Sequence, residues 1–107
     1  MIVVIFQVVP KPGREDDYFE AAKALADEVA RIDGFISVER FASVTNPGKF
    51  LSLSLWRDEA AVERWYAHAG HRKAQARGRG DVFADYRITV AAVIRDYDMA
   101  AGRPEAS

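Results

Sequence analysis

The chain has 107 residues, with fifteen basic and sixteen acidic side chains for a net charge of −1, and no cysteine. That length is one domain, large enough to bury roughly 65% of the surface its unfolded chain would expose. The charge balance argues against a nucleic-acid binder, which would need a basic stripe to neutralise phosphates. The absence of thiols excludes a disulfide framework, a thiolate nucleophile and a thiolate metal site.

The apolar run Ile2–Val9 is dominated by β-branched residues and broken only by Gln7, which predicts a first strand covered on both faces. It has no basic leader and no small-residue cleavage site, so it reads as a strand and not a signal peptide. No apolar run approaches the length of a membrane span, and a cytoplasmic protein is the expectation. Pro10-Lys11-Pro12-Gly13 stops the strand. Glu15, Asp16 and Asp17 then stand where a helix N-terminus favours negative charge. Phe19, Ala22, Leu25, Ala26, Val29 and Ile32 recur every three or four residues, which predicts a helix buried on one stripe and closed at Asp33-Gly34.

A second strand is expected from Phe35 to Val44 and a third from Phe50 to Trp56, joined by the turn Thr45-Asn46-Pro47-Gly48 into an antiparallel hairpin. In the third strand Leu51, Leu53 and Leu55 alternate with Ser52 and Ser54. Asp58 is suited to cap a second helix with Val62, Trp65, Tyr66 and Ala69 inward. Gly70 interrupts that helix, Arg72 to Arg77 can add a turn or two, and Gly78 and Gly80 end it. Tyr86 to Asp96 is the fourth strand. Residues 98–107 carry no pattern and are expected to be a disordered tail after a domain spanning residues 1–97.

The order β-α-β-β-α-β is the ferredoxin-like split unit of the α+β class, an antiparallel sheet with both helices on one face. Strands one and four look apolar on both sides, yet no element is left over to cover the second face. A second copy of the chain is the economical cover, so a homodimer with sheets face to face is expected.

The chemistry-bearing residues concentrate in Trp65-Tyr66-Ala67-His68-Ala69-Gly70-His71-Arg72-Lys73-Ala74-Gln75, which holds both histidines of the chain. Trp65 and His68 are neighbours on a helix surface. The histidines are the side chains whose ordinary pKa suits proton transfer near neutrality, and His71, just past the Gly70 break, is preferred over His68 as a base. Arg72, Lys73, Arg77 and Arg79 form a basic run that usually means a solvated face; Arg72 or Arg79 is the candidate to hold an anionic substrate oxygen. Gln7, Ser52, Ser54 and Thr89 are polar strand residues that could line a cavity, expected between helix two and the sheet with Trp65 on its wall; Tyr86 is core, dimer interface or a further substrate contact. The histidine pair has no carboxylate of obvious partnership, so no metal site is expected.

The run Trp65-x-x-His68-x-x-His71-Arg72-x-Ala74-Gln75-x-x-Gly78-Arg79 resembles the antibiotic biosynthesis monooxygenase family of dimeric α+β barrels. Phe83-x-Asp85-Tyr86, Val93-x-Arg95-Asp96-Tyr97, Pro12-Gly13, Pro47-Gly48-Lys49 and Leu55-Trp56 extend the resemblance over about residues 1–97. It implies a dimer that oxidises a phenolic or polycyclic aromatic metabolite with dioxygen and no cofactor. The protein would supply a base, donors for the substrate's oxygens and a dry apolar pocket. Trp65, Tyr66, Arg72 and Gln75 become candidate substrate contacts. The haem-degrading branch uses an Asn on strand one, a Trp on helix two and a His about ten residues later. Trp65 matches, but Gln75 stands at the His position and Phe6 near the Asn position. A haem-binding or haem-degrading enzyme and a non-catalytic ligand-binding dimer remain the alternatives.

Overall fold

The computed structural model describes residues 1–68, 72, 73, 76 and 78–102. The elements are β1 (Ile2–Pro10), α1 (Glu15–Ala30), β2 (Phe35–Ala42), β3 (Phe50–Trp56), α2 (Glu59–Ala67) and β4 (Phe83–Ala92), with one π-helical turn, Gly78–Val82, leading into β4. The four strands form one sheet in the order β2-β3-β1-β4, every neighbouring pair antiparallel. This is the split β-α-β arrangement read from the sequence. The molecule is 19 Å deep in its shortest dimension, the depth of one sheet under one layer of helices. Among the described residues no helix is long and apolar enough to cross a membrane.

β1 is paired along its length with β3 on one side and β4 on the other, which suits its β-branched residues to the centre of the sheet. It ends at Pro10, and Gly13 turns the chain at φ +80°. The Lys11 amide donates to the Val82 carbonyl at 2.7 Å, and Arg14 donates to both carboxylate oxygens of Asp81 at 3.1 and 2.8 Å. The π-helical turn is thereby tied to the start of α1. Arg14 also pairs with Asp17. α1 lacks a side-chain cap but carries Glu15, Asp16 and Asp17 in its first turn, where carboxylates face the unsatisfied amides.

The inward stripe of α1 is displaced by one residue at its start from the sequence reading. Tyr18, at 5% exposure, is its buried aromatic, while Phe19 is 37% exposed and lies edge-on to Phe50 at 4.9 Å. An apolar ring at either position satisfies the periodicity; the tilt of the helix on the sheet chooses between them. α2 starts as expected, with the Asp58 side chain accepting from the Ala61 amide at 2.9 Å. Its buried residues are Ala61, Val62 and Trp65, with Tyr66 half-buried; Ala69 is outside the described residues.

The bounds of β2 and β4 differ from expectation, and both follow from pairing. β2 stops at Ala42 and not Val44, because past the Ser43–Lys49 bond the chain enters the turn and Val44 is left 96% exposed. β4 runs from Phe83 to Ala92 and not from Tyr86 to Asp96. Its start pairs with Val9 and Pro10, its ladder closes at Ala92 opposite Ile2, and the Val93 amide donates to the Met1 carbonyl. Ile94 is accordingly 87% exposed. Of the expected tail, residues 98–102 form a local turn in which the Gly102 amide bonds the Asp98 carbonyl at 2.8 Å.

Alternation along β1 decides the faces. Ile2, Val4, Phe6 and Val8 point to the helices, opposite Trp56, Ser54, Ser52 and Phe50 of β3. The leucines Leu51, Leu53 and Leu55 therefore share the far face with Val3, Ile5 and Gln7. Both helices pack on the serine side. On that side the core divides into two clusters, one around Trp56 and Trp65 and the other around Val8, Tyr18 and Val82.

Candidate functional site

Between those two clusters lies a cavity of about 540 Å³, roofed by both helices and floored by the sheet. The sequence reading places it under helix two. The structure gives α1 the larger part, with eight lining residues from Asp17 to Val29 against Val62, Trp65 and Tyr66 of α2. Alanines at 21, 22 and 24 are all on the lining, and their short side chains leave the gap beneath the helix unfilled.

The wall near β3 is aromatic. Trp56 is 2% exposed, and its indole N–H donates to Ser54 Oγ at 2.9 Å. Truncating such a ring to Ala costs about 3–5 kcal/mol. Phe35 meets Trp56 edge-on at 5.3 Å. A bulge between Phe35 and Ser37 lets Phe35 and Val38 both reach the cavity. At the other end Phe6 and Phe83 pack against each other and against both Tyr18 and Tyr86, with ring centroids 5.6 to 6.4 Å apart.

The sequence-derived candidates separate into three groups. Trp65, Tyr66, Ser52, Ser54 and Tyr86 all line the cavity. Gln7 does not: it alternates with Phe6 and Val8 and points to the far face, opposite Leu51 and Arg87. Arg72 is exposed and is not on the lining. His68 is the residue at which α2 ends, with an extended backbone and its amide donating to the Trp65 carbonyl. Its ring stacks on Trp65 at 5.3 Å and 27°, and it is not on the lining. His71 and Gln75 lie outside the described residues.

Residues not singled out in the sequence also reach the cavity: Asp17, Tyr18, Glu28, Arg40 and Lys73. Arg40 was legible in principle. It shares a strand face with Val38, and in the register of β2 on β3 it stands opposite Ser52. Burial pushes the Tyr18 phenol above its ordinary pKa, partly offset by the nearby Arg40 guanidinium. Burial likewise raises Tyr66, with Glu63 adding to it. Both phenols are thus held as neutral donors. Asp17 is neutralised by Arg14. Among the described residues no group of three His, Cys, Asp or Glu side chains could hold a metal ion.

The sequence profile of the family described as "Antibiotic biosynthesis monooxygenase" matches residues 1–77. A protein of Pyricularia oryzae named jasmonate monooxygenase ABM is 46% identical over 93 residues, covering 87% of this chain and 43% of that protein. The chain thus spans less than half the length of that relative. YqjZ of Bacillus subtilis, an uncharacterised protein, is 30% identical over 92 residues, covering 86% of this chain and 78% of that one. Among solved structures, Rv0793 of Mycobacterium tuberculosis superposes with a TM-score of 0.80 at 17% identity, over 91% of this chain and 98% of that one. A structure described as antibiotic biosynthesis monooxygenase gives 0.75 at 19% identity, over 89% and 100%. At these identities the structures establish the shared fold.

Proposed function

The chain belongs to the antibiotic biosynthesis monooxygenase family, and from that membership we propose that it is a monooxygenase whose substrate is an apolar, phenolic or polycyclic aromatic small molecule. The observation that carries this reading is the cavity: about 540 Å³, within the size range of small-molecule sites, lined by indole, phenol and phenyl rings with few polar groups.

The chemistry asked of the protein is modest. A phenol bearing an activated ring methylene is deprotonated, and its electron-rich anion reduces dioxygen directly. The methylene loses two hydrogens and gains one oxygen atom as a carbonyl. The second oxygen atom leaves as water with those hydrogens, and dioxygen takes up the four electrons. The protein binds the substrate, excludes bulk water and accepts a proton. His71, with His68 as the alternative, is the proposed base on residue type and position past α2. Trp65 and Tyr66 hold the rings.

The proposal includes a homodimer. Val3, Ile5, Leu51, Leu53 and Leu55 form an apolar sheet face on the side away from both helices, and a second copy laid on it would remove that area from water.

Oxygen uptake tests the reading, with hydroxylated anthrones and naphthols as one set of substrates. Jasmonate is a separate arm, because the Pyricularia oryzae relative carries that name. Consumption of one dioxygen per ketone formed supports the proposal. No uptake with any member, by a folded protein that binds them, favours a ligand-binding role.

A further inference from the structure

The cavity is not uniformly apolar, and three of its polar lining residues, Tyr18, Arg40 and Ser52, stand together at the end near Phe6. Arg40 projects from β2 on the helix side, opposite Ser52 across the β2–β3 ladder, and both line the cavity. Tyr18 flanks them from α1. Its hydroxyl is buried and has no hydrogen-bond partner of good geometry among the described residues, although the Arg40 guanidinium is near enough to bias its ionisation.

The carboxylates near this end do not answer the arginine. None forms an ion pair with Arg40 within 4 Å among the described residues. Asp17 is held by Arg14. Glu28 is ten residues along α1 from Tyr18, about 15 Å at helical rise. The opposite end is closed by Trp56, Trp65, Phe35 and Val29. Arg40 is exposed to solvent as well as lining the cavity, which puts the cationic end at the mouth.

The geometry points to Arg40, with the Tyr18 and Ser52 hydroxyls beside it, as the anchor for a single oxyanion — carboxylate or phenolate — on a ligand whose apolar body lies against Trp56 and Trp65. This deepens the proposed function and rests on the cavity being the substrate site. An oxyanion there takes the guanidinium's fork of donors and gives the Tyr18 O–H an acceptor, so one group satisfies both. The anchor fixes which end of the substrate enters first, and it selects against neutral analogues of the same shape.

Two matched probe pairs test it by calorimetric titration of the whole chain: 2-naphthoate against methyl 2-naphthoate, and 2-naphthol, titrated through its own ionisation, against 2-methoxynaphthalene. The readout is the affinity ratio within a pair, which general damage to the cavity leaves unmoved because it weakens both members. The wild type should prefer at least one anion by about tenfold or more, as hydrogen bonds to charged groups imply. Arg40→Gln should abolish that preference, and Arg40→Lys should keep part of it, since the charge remains and the fork does not. The pair whose ratio collapses names the head group. A wild type with no preference in either pair, or a ratio that survives Arg40→Gln, overturns the anchor, as does collapse in Lys73→Gln in place of Arg40→Gln. Oxygen uptake is read separately. An anion preference lost in Arg40→Gln without turnover keeps the anchor and sinks the monooxygenase. Turnover of neutral substrates with no anion preference does the reverse.

Discussion

Gly34 and Ala61 meet so closely that a Cβ on Gly34 would lie 2.6 Å from the Ala61 Cβ. Gly34 also holds φ +95°, and its carbonyl accepts from the Arg57 amide at 2.7 Å. The turn after α1 is thus seated on the first turn of α2. Arg57 reinforces the junction through both carboxylate oxygens of Asp33, at 3.1 and 3.0 Å, and Arg64 donates to the Asp33 carbonyl. This is where the two helices roofing the cavity are fixed relative to each other.

Gly34→Ala should therefore be strongly destabilising. The left-handed backbone costs on the order of 1–3 kcal/mol for a non-glycine residue, and overpacking against Ala61 adds about 1–3 kcal/mol. Urea denaturation measures the sum. Ala61→Gly in the same chain should recover the packing part and leave the backbone part. A Gly34→Ala protein as stable as wild type would show that the turn relaxes freely.

Stability should fall on acidification through these same carboxyls. Asp58 is held below the ordinary carboxylate range first by the Ala61 amide and then by Arg57; Asp33 is held below it by Arg57. A lowered folded pKa means the contribution is complete above the unfolded value, about 3.9, and is lost as pH drops through the lower folded value. Both groups are exposed, so solvent screening keeps the effect small. Asp58→Asn, which retains a capping oxygen but cannot ionise, should flatten the dependence of the urea midpoint between pH 5 and pH 2. An unchanged slope would assign the acid sensitivity elsewhere.

Sedimentation at micromolar concentration should give twice the chain mass of 11.9 kDa. Leu53→Lys puts a charge in the middle of the far face, opposite Ile5, and should shift the protein to the single-chain mass. It touches neither helix, so far-ultraviolet dichroism should persist. A wild type that sediments as one chain would leave the leucine face without the partner proposed for it.

If His71 is the base, His71→Ala should lower turnover by roughly 10²–10⁴-fold with fold and mass unchanged. The deficit should shrink as pH rises toward the substrate phenol's own pKa, where solvent does the deprotonation. The same loss in His68→Ala alone would move the base to the end of α2. If neither change matters, the ligand-binding reading gains over the enzyme.

The order of elements and their class were determined by the sequence itself. β-branched runs, an amphipathic stripe and turn residues such as Gly13, Gly34 and Gly48 act over a few neighbours, so their signal is complete within the segment that carries it. The alternation of Leu51, Ser52, Leu53, Ser54 and Leu55 likewise separated two faces. Which face the helices would cover, and hence that the serines look into a cavity and the leucines away from it, was decided by the tertiary structure. A period of two is symmetric until a third element packs on one side. The same holds for Tyr18 over Phe19, where one residue of register was set by the tilt of α1 on the sheet. It holds for Gln7, whose polarity said nothing about direction. Arg40 became a cavity residue only when β2 paired beside β3 with α1 above both. Its partners, Ser52 and Tyr18, are twelve and twenty-two positions away in the sequence, and only folding brings side chains so separated to one end of one cavity.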